Sequence, residues 1–213
     1  MSRMPRYLTE FVGTLFFVMT IGLAVSSGHA LTPLIIGSAL MALVYMGAPV
    51  SGAHYNPAVT LALFLRRKMP RGDLLPYWVG QLRGAVAGAY LSSIFLDHTF
   101  APAPAPTAST GSAFLVELLY TSMLALVVLN CAAREATKGN SYYGLAIGFT
   151  IVVAVFAGGP ISGGAFNPAV ATGAIVINTL MGEGNLGHLW LYLAGPLAGG
   201  VLGALIFKLQ GEL

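Results

Sequence analysis

Apolar residues run through this chain in long stretches separated by short polar turns, and six of those stretches predict membrane-spanning helices over about 7–26, 33–48, 75–96, 113–132, 142–157 and 188–208. Two further apolar segments are too short to span. Pro57–Leu65, or 57–66 with the arginine that ends it, and Pro168–Asn178 each cover about half of a ~30 Å hydrocarbon core at ~1.5 Å per residue. Each follows an asparagine, and an Asn-Pro pair opens a helix well: Asn caps it, and Pro lacks the N–H that would be orphaned at the first position.

The two short segments belong to a duplication. Ser51-Gly52-Ala53-His54-Tyr55-Asn56-Pro57-Ala58-Val59 recurs as Ser162-Gly163-Gly164-Ala165-Phe166-Asn167-Pro168-Ala169-Val170, 111 residues later. The offset holds upstream, where Ile36-Gly37 matches Ile147-Gly148, Gly47 matches Gly158 and Pro49 matches Pro160. One Asn-Pro pair says only that a helix begins; two in the same apolar setting mark a repeated unit. The predicted organisation is a first repeat over 1–100, an extended Ala-Pro-rich linker over 101–112 and a second repeat over 113–213. Three full spans per repeat is an odd number, so the second repeat is inverted relative to the first. The two half-helices then meet at mid-membrane. The fold class is therefore an all-α membrane protein with six transmembrane helices and two half-membrane helices in an inverted 3+3 repeat.

Composition agrees. Hydrophobic residues are 56% of the chain and charged residues 8%, against about a quarter charged in a soluble domain. The net charge of +3 reads as orientation rather than as nucleic-acid binding. Arg3, Arg6, Arg66, Arg67, Lys68, Arg71, Arg134, Lys138 and Lys208 all fall on one side of the six-span plan, which predicts cytoplasmic termini and a plasma-membrane (bacterial inner-membrane) location. The first span resembles a signal peptide, but it is long enough to span, and cleavage would leave the first repeat one helix short. Glycines at four-residue spacing, Gly80-Gly84-Gly88 and Gly195-Gly199-Gly203, predict close helix contacts. Cys131 is a lone cysteine in an apolar run and fits no metal or redox spacing. No nucleophile–base or ligand cluster points to an enzyme, a cofactor or a metal.

The half-helix starts carry the candidate chemistry. Each leaves N–H groups and a positive dipole end at mid-membrane, where lipid cannot satisfy them, so they face a wet cavity or protein. Asn56 and Asn167 would each offer an amide donor there, and two positive ends aimed at one spot repel cations, hydronium included. A lumen with central donors and carbonyl acceptors from 50–55 and 161–166 suits small neutral hydrogen-bonding solutes.

With these residues in view, the chain resembles the major intrinsic protein family, the aquaporins and aquaglyceroporins. The resemblance covers the whole chain: two Asn-Pro-Ala boxes (Asn56-Pro57-Ala58 and Asn167-Pro168-Ala169), Glu10 and Glu117 in the first span of each repeat, and Gln81 in the third. It implies a passive channel for water and small neutral solutes, with one pore per subunit of a homotetramer in the lipid bilayer. It also implies that Glu10 and Glu117 accept hydrogen bonds from the box loops, with Gln81 and His54 helping to hold them. For His54 a titratable pore gate is the alternative. Arg83, inside the third span, has no counterpart in the family pattern; it is read as snorkelling to the cytoplasmic face, with an acidic partner at a subunit contact as the alternative.

One departure bears on cargo. Gapless spacing from the boxes places the family's four-residue selectivity filter at Ile36, Val155, Gly164 and Val170. Water channels of the family typically carry an aromatic, a histidine, a small residue and an arginine there. Here all four are apolar and none is aromatic. Losing the arginine and histidine removes a fixed charge and several donors, so a wider, less polar constriction is expected, with the carbonyls of Ser162–Gly164 as its main hydrogen-bonding groups. Tyr192-Leu193 is likewise mixed between branches. A facilitator whose main cargo is glycerol, urea, ammonia, hydrogen peroxide or a neutral weak acid stays open, as does a poorly conducting structural protein.

Overall fold

A computed structural model of the chain describes residues 3–211; residues 1–2 and 212–213 lie outside the described residues. Among the described residues all regular structure is helical: α1 Met4–Ser26, α2 Thr32–Ser51, α3 Pro57–Leu65, α4 Leu74–Leu96, α5 Thr110–Val128, α6 Tyr143–Ser162, α7 Pro168–Met181 and α8 Leu189–Leu209. A π-helical turn, Leu129–Ala133, extends α5. Six long helices thus surround two short ones. Five are long and apolar enough to cross a membrane; α4 matches them in length but carries Gln81 and Arg83. Large apolar side chains such as Leu8, Phe16, Phe95, Leu119 and Leu205 point outward, the surface expected where the surrounding solvent is lipid.

The capping expected from sequence is present. The Asn56 side chain accepts from Ala58 N at 2.8 Å, and Asn167 accepts from Ala169 N at 2.9 Å, each with proline at the first helical position. Helix ends differ from the sequence reading. α2 and α6 pass through Pro49 and Pro160 and stop only at Gly52 and Gly163, both at φ +89°. A proline in a last turn costs one backbone bond, and a left-handed residue is what terminates the helix. The box loops therefore begin later than the 50–55 and 161–166 expected. α7 continues past Asn178 to Met181.

Helices pack in matched pairs. α1 lies along α4 and α5 along α8, and the spaced glycines form the contacts. A Cβ on Gly84 would fall 2.3 Å from Phe11 O, and one on Gly199 2.3 Å from Leu118 O. α2 crosses α6 at the repeat-matched glycines: a Cβ on Gly37 would meet Gly148 O at 2.5 Å, and one on Gly148 would meet Gly37 O at 2.5 Å. The crossing is thus the same residue of each copy laid on its counterpart.

The connection between the repeats is more than an extended linker. Ala105 N donates to Ile161 O at 3.0 Å, and the Ala103 backbone lies so close to Gly163 that a Cβ there would come within 2.6 Å of it. At the opposite end, Asp73 is fully buried. It accepts from Arg3 at 3.0 Å, Arg6 at 3.3 Å and Tyr7 Oη at 2.8 Å, tying the start of α1 to the start of α4.

Candidate functional site

The two loops that precede α3 and α7 have the same backbone course. Gly52 and Gly163 are at φ +89°, Ala53 and Gly164 at +52° and +69°, and Tyr55 and Phe166 at +47° and +51°. A left-handed conformation costs a non-glycine residue about 1–2 kcal/mol, so Ala53, Tyr55 and Phe166 must be held in place.

Two carboxylates hold them. Glu10 Oε1 accepts from Ser51 Oγ at 2.7 Å and His54 N at 3.0 Å; its Oε2 accepts from Tyr55 N and Gln81 Nε2, both at 2.8 Å. Glu117 repeats the pattern with Ser162 Oγ at 2.8 Å, Ala165 N at 3.0 Å and Phe166 N at 2.6 Å. Both glutamates are fully buried. The first loop has an extra support. Gln81 Nε2 also reaches Thr60 Oγ1 at 2.9 Å, and the half-buried His54 places Nδ1 3.1 Å from the same hydroxyl. The second copy has Pro196 and Ala171 in that region and no such chain. Tyrosines from the third long helix of each repeat, whose role as loop ties was not read from the sequence, add a further support: Tyr77 Oη donates to Ser51 O at 2.6 Å, and Tyr192 Oη donates to Ser162 O.

The asparagines meet at the centre. Asn56 Nδ2 donates to Phe166 O at 2.9 Å, and Asn167 Nδ2 donates to Tyr55 O at 2.8 Å. Each amide thus spends its oxygen on its own helix cap and one hydrogen on the opposite loop. One N–H per asparagine remains.

Around this pair lies a cavity of ≈ 100 Å³. Asn56, Asn167 and His54 line it, as do all four spacing-derived filter positions, Ile36, Val155, Gly164 and Val170. No Lys, Arg, Asp or Glu is among its lining residues. Pro57, Ala58, Pro168 and Ala169 are buried behind the asparagines as the first turns of α3 and α7. Among the described residues no group of three or more His, Cys, Asp and Glu side chains could hold a metal.

Two features of the wall went unmarked in the sequence, and one expectation is corrected. Phe17 and Ile21 of α1 and Leu124 and Val128 of α5 supply much of it. These pairs are offset by 107 residues, as are Glu10 and Glu117, so the glutamates were the usable signal. Phe100, Ala101 and Pro102, from the connection between the repeats, form part of one mouth. The Ser162 carbonyl, expected to face the constriction, is engaged by the Tyr192 hydroxyl, which leaves Gly163 and Gly164 on the lumen. Arg83 stands apart from the cavity, exposed on the outer face of α4.

The chain was compared with known proteins. Residues 1–207 match the family model of the major intrinsic proteins. The chain belongs to the major intrinsic protein family. Its members are passive transmembrane channels, and the sequence expectation of a multi-pass helical channel agrees. Among curated members, a glycerol uptake facilitator-like protein of Lactiplantibacillus plantarum is 32% identical, covering 98% of this chain and 99% of that protein. Aquaporin A of Dictyostelium discoideum is 35% identical over 95% of this chain and 77% of its own length. In fold, the crystal structure of the Plasmodium falciparum aquaglyceroporin superposes with a TM-score of 0.87 at 23% identity, covering 97% of this chain and 96% of that one. This major intrinsic protein thus encloses its cavity between two half-helices whose N-termini converge on the asparagine pair.

Proposed function

We propose that the protein conducts water past Asn56 and Asn167, and that its apolar filter also admits small neutral solutes such as glycerol, urea, ammonia or hydrogen peroxide. The observation that carries this reading is the filter composition. Ile36, Val155, Gly164 and Val170 all line the cavity, and none has a side-chain donor, acceptor or charge. A solute passing them exchanges hydrogen bonds only with backbone carbonyls, so exclusion rests on width and not on a fixed cation. At the centre the free N–H of each asparagine orients a water or hydroxyl oxygen. The two half-helix ends, each equivalent to about +0.5 charge, oppose the passage of cations. Glu10 and Glu117 act as loop braces and not as proton carriers, because both oxygens of each carboxylate accept from the box loops; Gln81 and His54 support the first loop through Glu10 and Thr60.

Stopped-flow light scattering on proteoliposomes tests this. Challenge with an impermeant osmolyte should give fast shrinkage, and challenge with glycerol or urea should give shrinkage followed by rapid re-swelling. Fast water flux without re-swelling would sink the solute half of the proposal. The apolar ring also favours a second reading, in which it sheds water and the main cargo is another neutral solute. That reading predicts re-swelling in glycerol with water flux no faster than in empty vesicles.

We further infer two repeats over 1–100 and 113–213 joined by 101–112, a homotetramer with one pore per subunit, and the arginine-rich end facing the cytoplasm of a plasma membrane. The matched hydrogen bonds of Glu10 and Glu117 support the first, family membership the second, and the one-sided Lys and Arg distribution the third. Maleimide labelling of single cysteines on intact cells, with Cys131 replaced, checks the topology. Asp97→Cys should label from outside and Lys138→Cys should not; the reverse pattern would invert it.

A further inference from the structure

The outer face of α4 carries a charge that the channel does not use. Val79, Arg83, Val86 and Tyr90 follow one another at helical spacing, on the side away from the glycines that contact α1. Val79 and Tyr90 are each 46% exposed, and Arg83 is exposed with no hydrogen bond or ion pair among the described residues. Beside it, Leu82, Val86, Ala87 and Tyr90 of α4 and Ile177 of α7 form a shallow apolar groove with Arg83 at its edge.

Arg83 lies nine residues into α4, about 14 Å along a helix of about 35 Å. Its guanidinium is permanently charged, so it cannot escape a low-dielectric surrounding by losing its proton. Helical side chains lean toward the helix N-terminus. For α4 that is the end where Asp73 holds Arg3 and Arg6. The guanidinium therefore reaches toward the headgroups of that leaflet, and an anion must meet it there.

Among the described residues the chain's own acids do not supply that anion. Glu10, Asp73 and Glu117 are fully buried. Asp97 and Glu183 lie beyond the ends of α4 and α7, and Glu135 lies in the α5–α6 connection. Glu212 falls outside the described residues, past the end of α8. A second copy would thus bring no exposed carboxylate from within its spans to Arg83. Phospholipid supplies a phosphate at the right depth together with an acyl chain that fits an apolar groove.

We propose that Arg83 and the adjoining groove bind one anionic phospholipid per subunit, in the leaflet at the arginine-rich end. The guanidinium takes the phosphate through paired N–H donors, and one acyl chain lies along Val86, Ala87, Tyr90 and Ile177. A bidentate charge-assisted contact of this kind separates the site from general lipid wetting.

Native mass spectrometry of the detergent-purified protein tests this, with phosphatidylglycerol, phosphatidylcholine and diacylglycerol of identical chains added in turn. Phosphatidylglycerol should be retained at one per subunit, in preference to the other two. Arg83→Leu should weaken that retention roughly tenfold or more, and Arg83→Lys should weaken it less, since the charge survives and the fork does not. Circular dichroism of both variants should match the parent, because the substituted side chain is exposed and makes no hydrogen bond or ion pair among the described residues. Equal retention of phosphatidylglycerol by parent and Arg83→Leu would overturn the proposal, as would equal retention of diacylglycerol. Displacement by excess inorganic phosphate would mark a soluble-anion site instead. A fall in subunit number in Arg83→Leu, with lipid count per subunit unchanged, would assign Arg83 to a contact between copies.

Discussion

Replacing Glu10 with glutamine is expected to lower water permeability of reconstituted vesicles by roughly tenfold or more while leaving helix content intact. Each carboxylate oxygen of Glu10 accepts two donors: Ser51 Oγ and His54 N on one, Tyr55 N and Gln81 Nε2 on the other. An amide NH₂ in either orientation faces a backbone N–H, that of His54 or that of Tyr55, and leaves it unsatisfied at about 1–3 kcal/mol, while Ser51 or Gln81 must also turn to accommodate it. The loss travels. Tyr55 is held at φ +47° partly through its N–H, and its carbonyl is the acceptor for Asn167 Nδ2. A relaxed Tyr55 therefore releases the asparagine of the opposite repeat. Glu117→Gln should follow the same route through Phe166 and Asn56, with a smaller effect. Its Oε2 accepts only Phe166 N, so one amide orientation keeps Ser162 and Ala165 bonded. Stopped-flow shrinkage rates of both variants check the order. Unchanged flux in Glu10→Gln would remove the brace from the account of conduction.

Val170→Arg is expected to suppress glycerol and urea re-swelling roughly tenfold or more while water flux falls much less. Val170 is 4% exposed and lines the cavity with Ile36, Val155 and Gly164. An arginine there adds donors to a set of lining residues that has none and a longer side chain than the valine it replaces, and Gly164 has no side chain to compete for the space. The site is in the first turn of α7, where a cation is disfavoured by about 0.3–1 kcal/mol, so a slight loss of thermal stability should accompany the change. Solute flux equal to the parent's would place the narrowest point away from these four residues.

Several parts of this molecule were legible from sequence because their causes are local. The Asn-Pro starts of α3 and α7 are helix caps, and capping is decided within three residues. The four positions counted from the boxes fall on the cavity wall, because the stretches from Ile36 to Asn56 and from Val155 to Val170 are continuous chain between fixed points. Arg83 stood out because it is the one Lys or Arg well inside a span, although its sequence could not say what it faces. Less legible were α2 and α6, expected to stop before their prolines. They continue to Ser51 and Ser162 because the terminating signal is the left-handed glycine that follows.

The sequence by itself determined the helical membrane class, the duplication, the inversion that an odd number of spans forces, and the absence of arginine from the four positions proposed as the filter. Each follows from composition or from residue spacing along one strand of chain. Tertiary structure alone decided the rest. It brought Asp73 to Arg3 and Arg6 across about seventy residues, set the Tyr192 hydroxyl on the Ser162 carbonyl, and folded 100–102 into a mouth of the cavity. It also decided which apolar face of each helix lines the lumen. In a bilayer, lipid-facing and helix-facing side chains are both apolar, so no hydrophobic stripe distinguishes Phe17 and Leu124, on the cavity, from Phe16 and Leu119, on the outside. Only packing makes that choice.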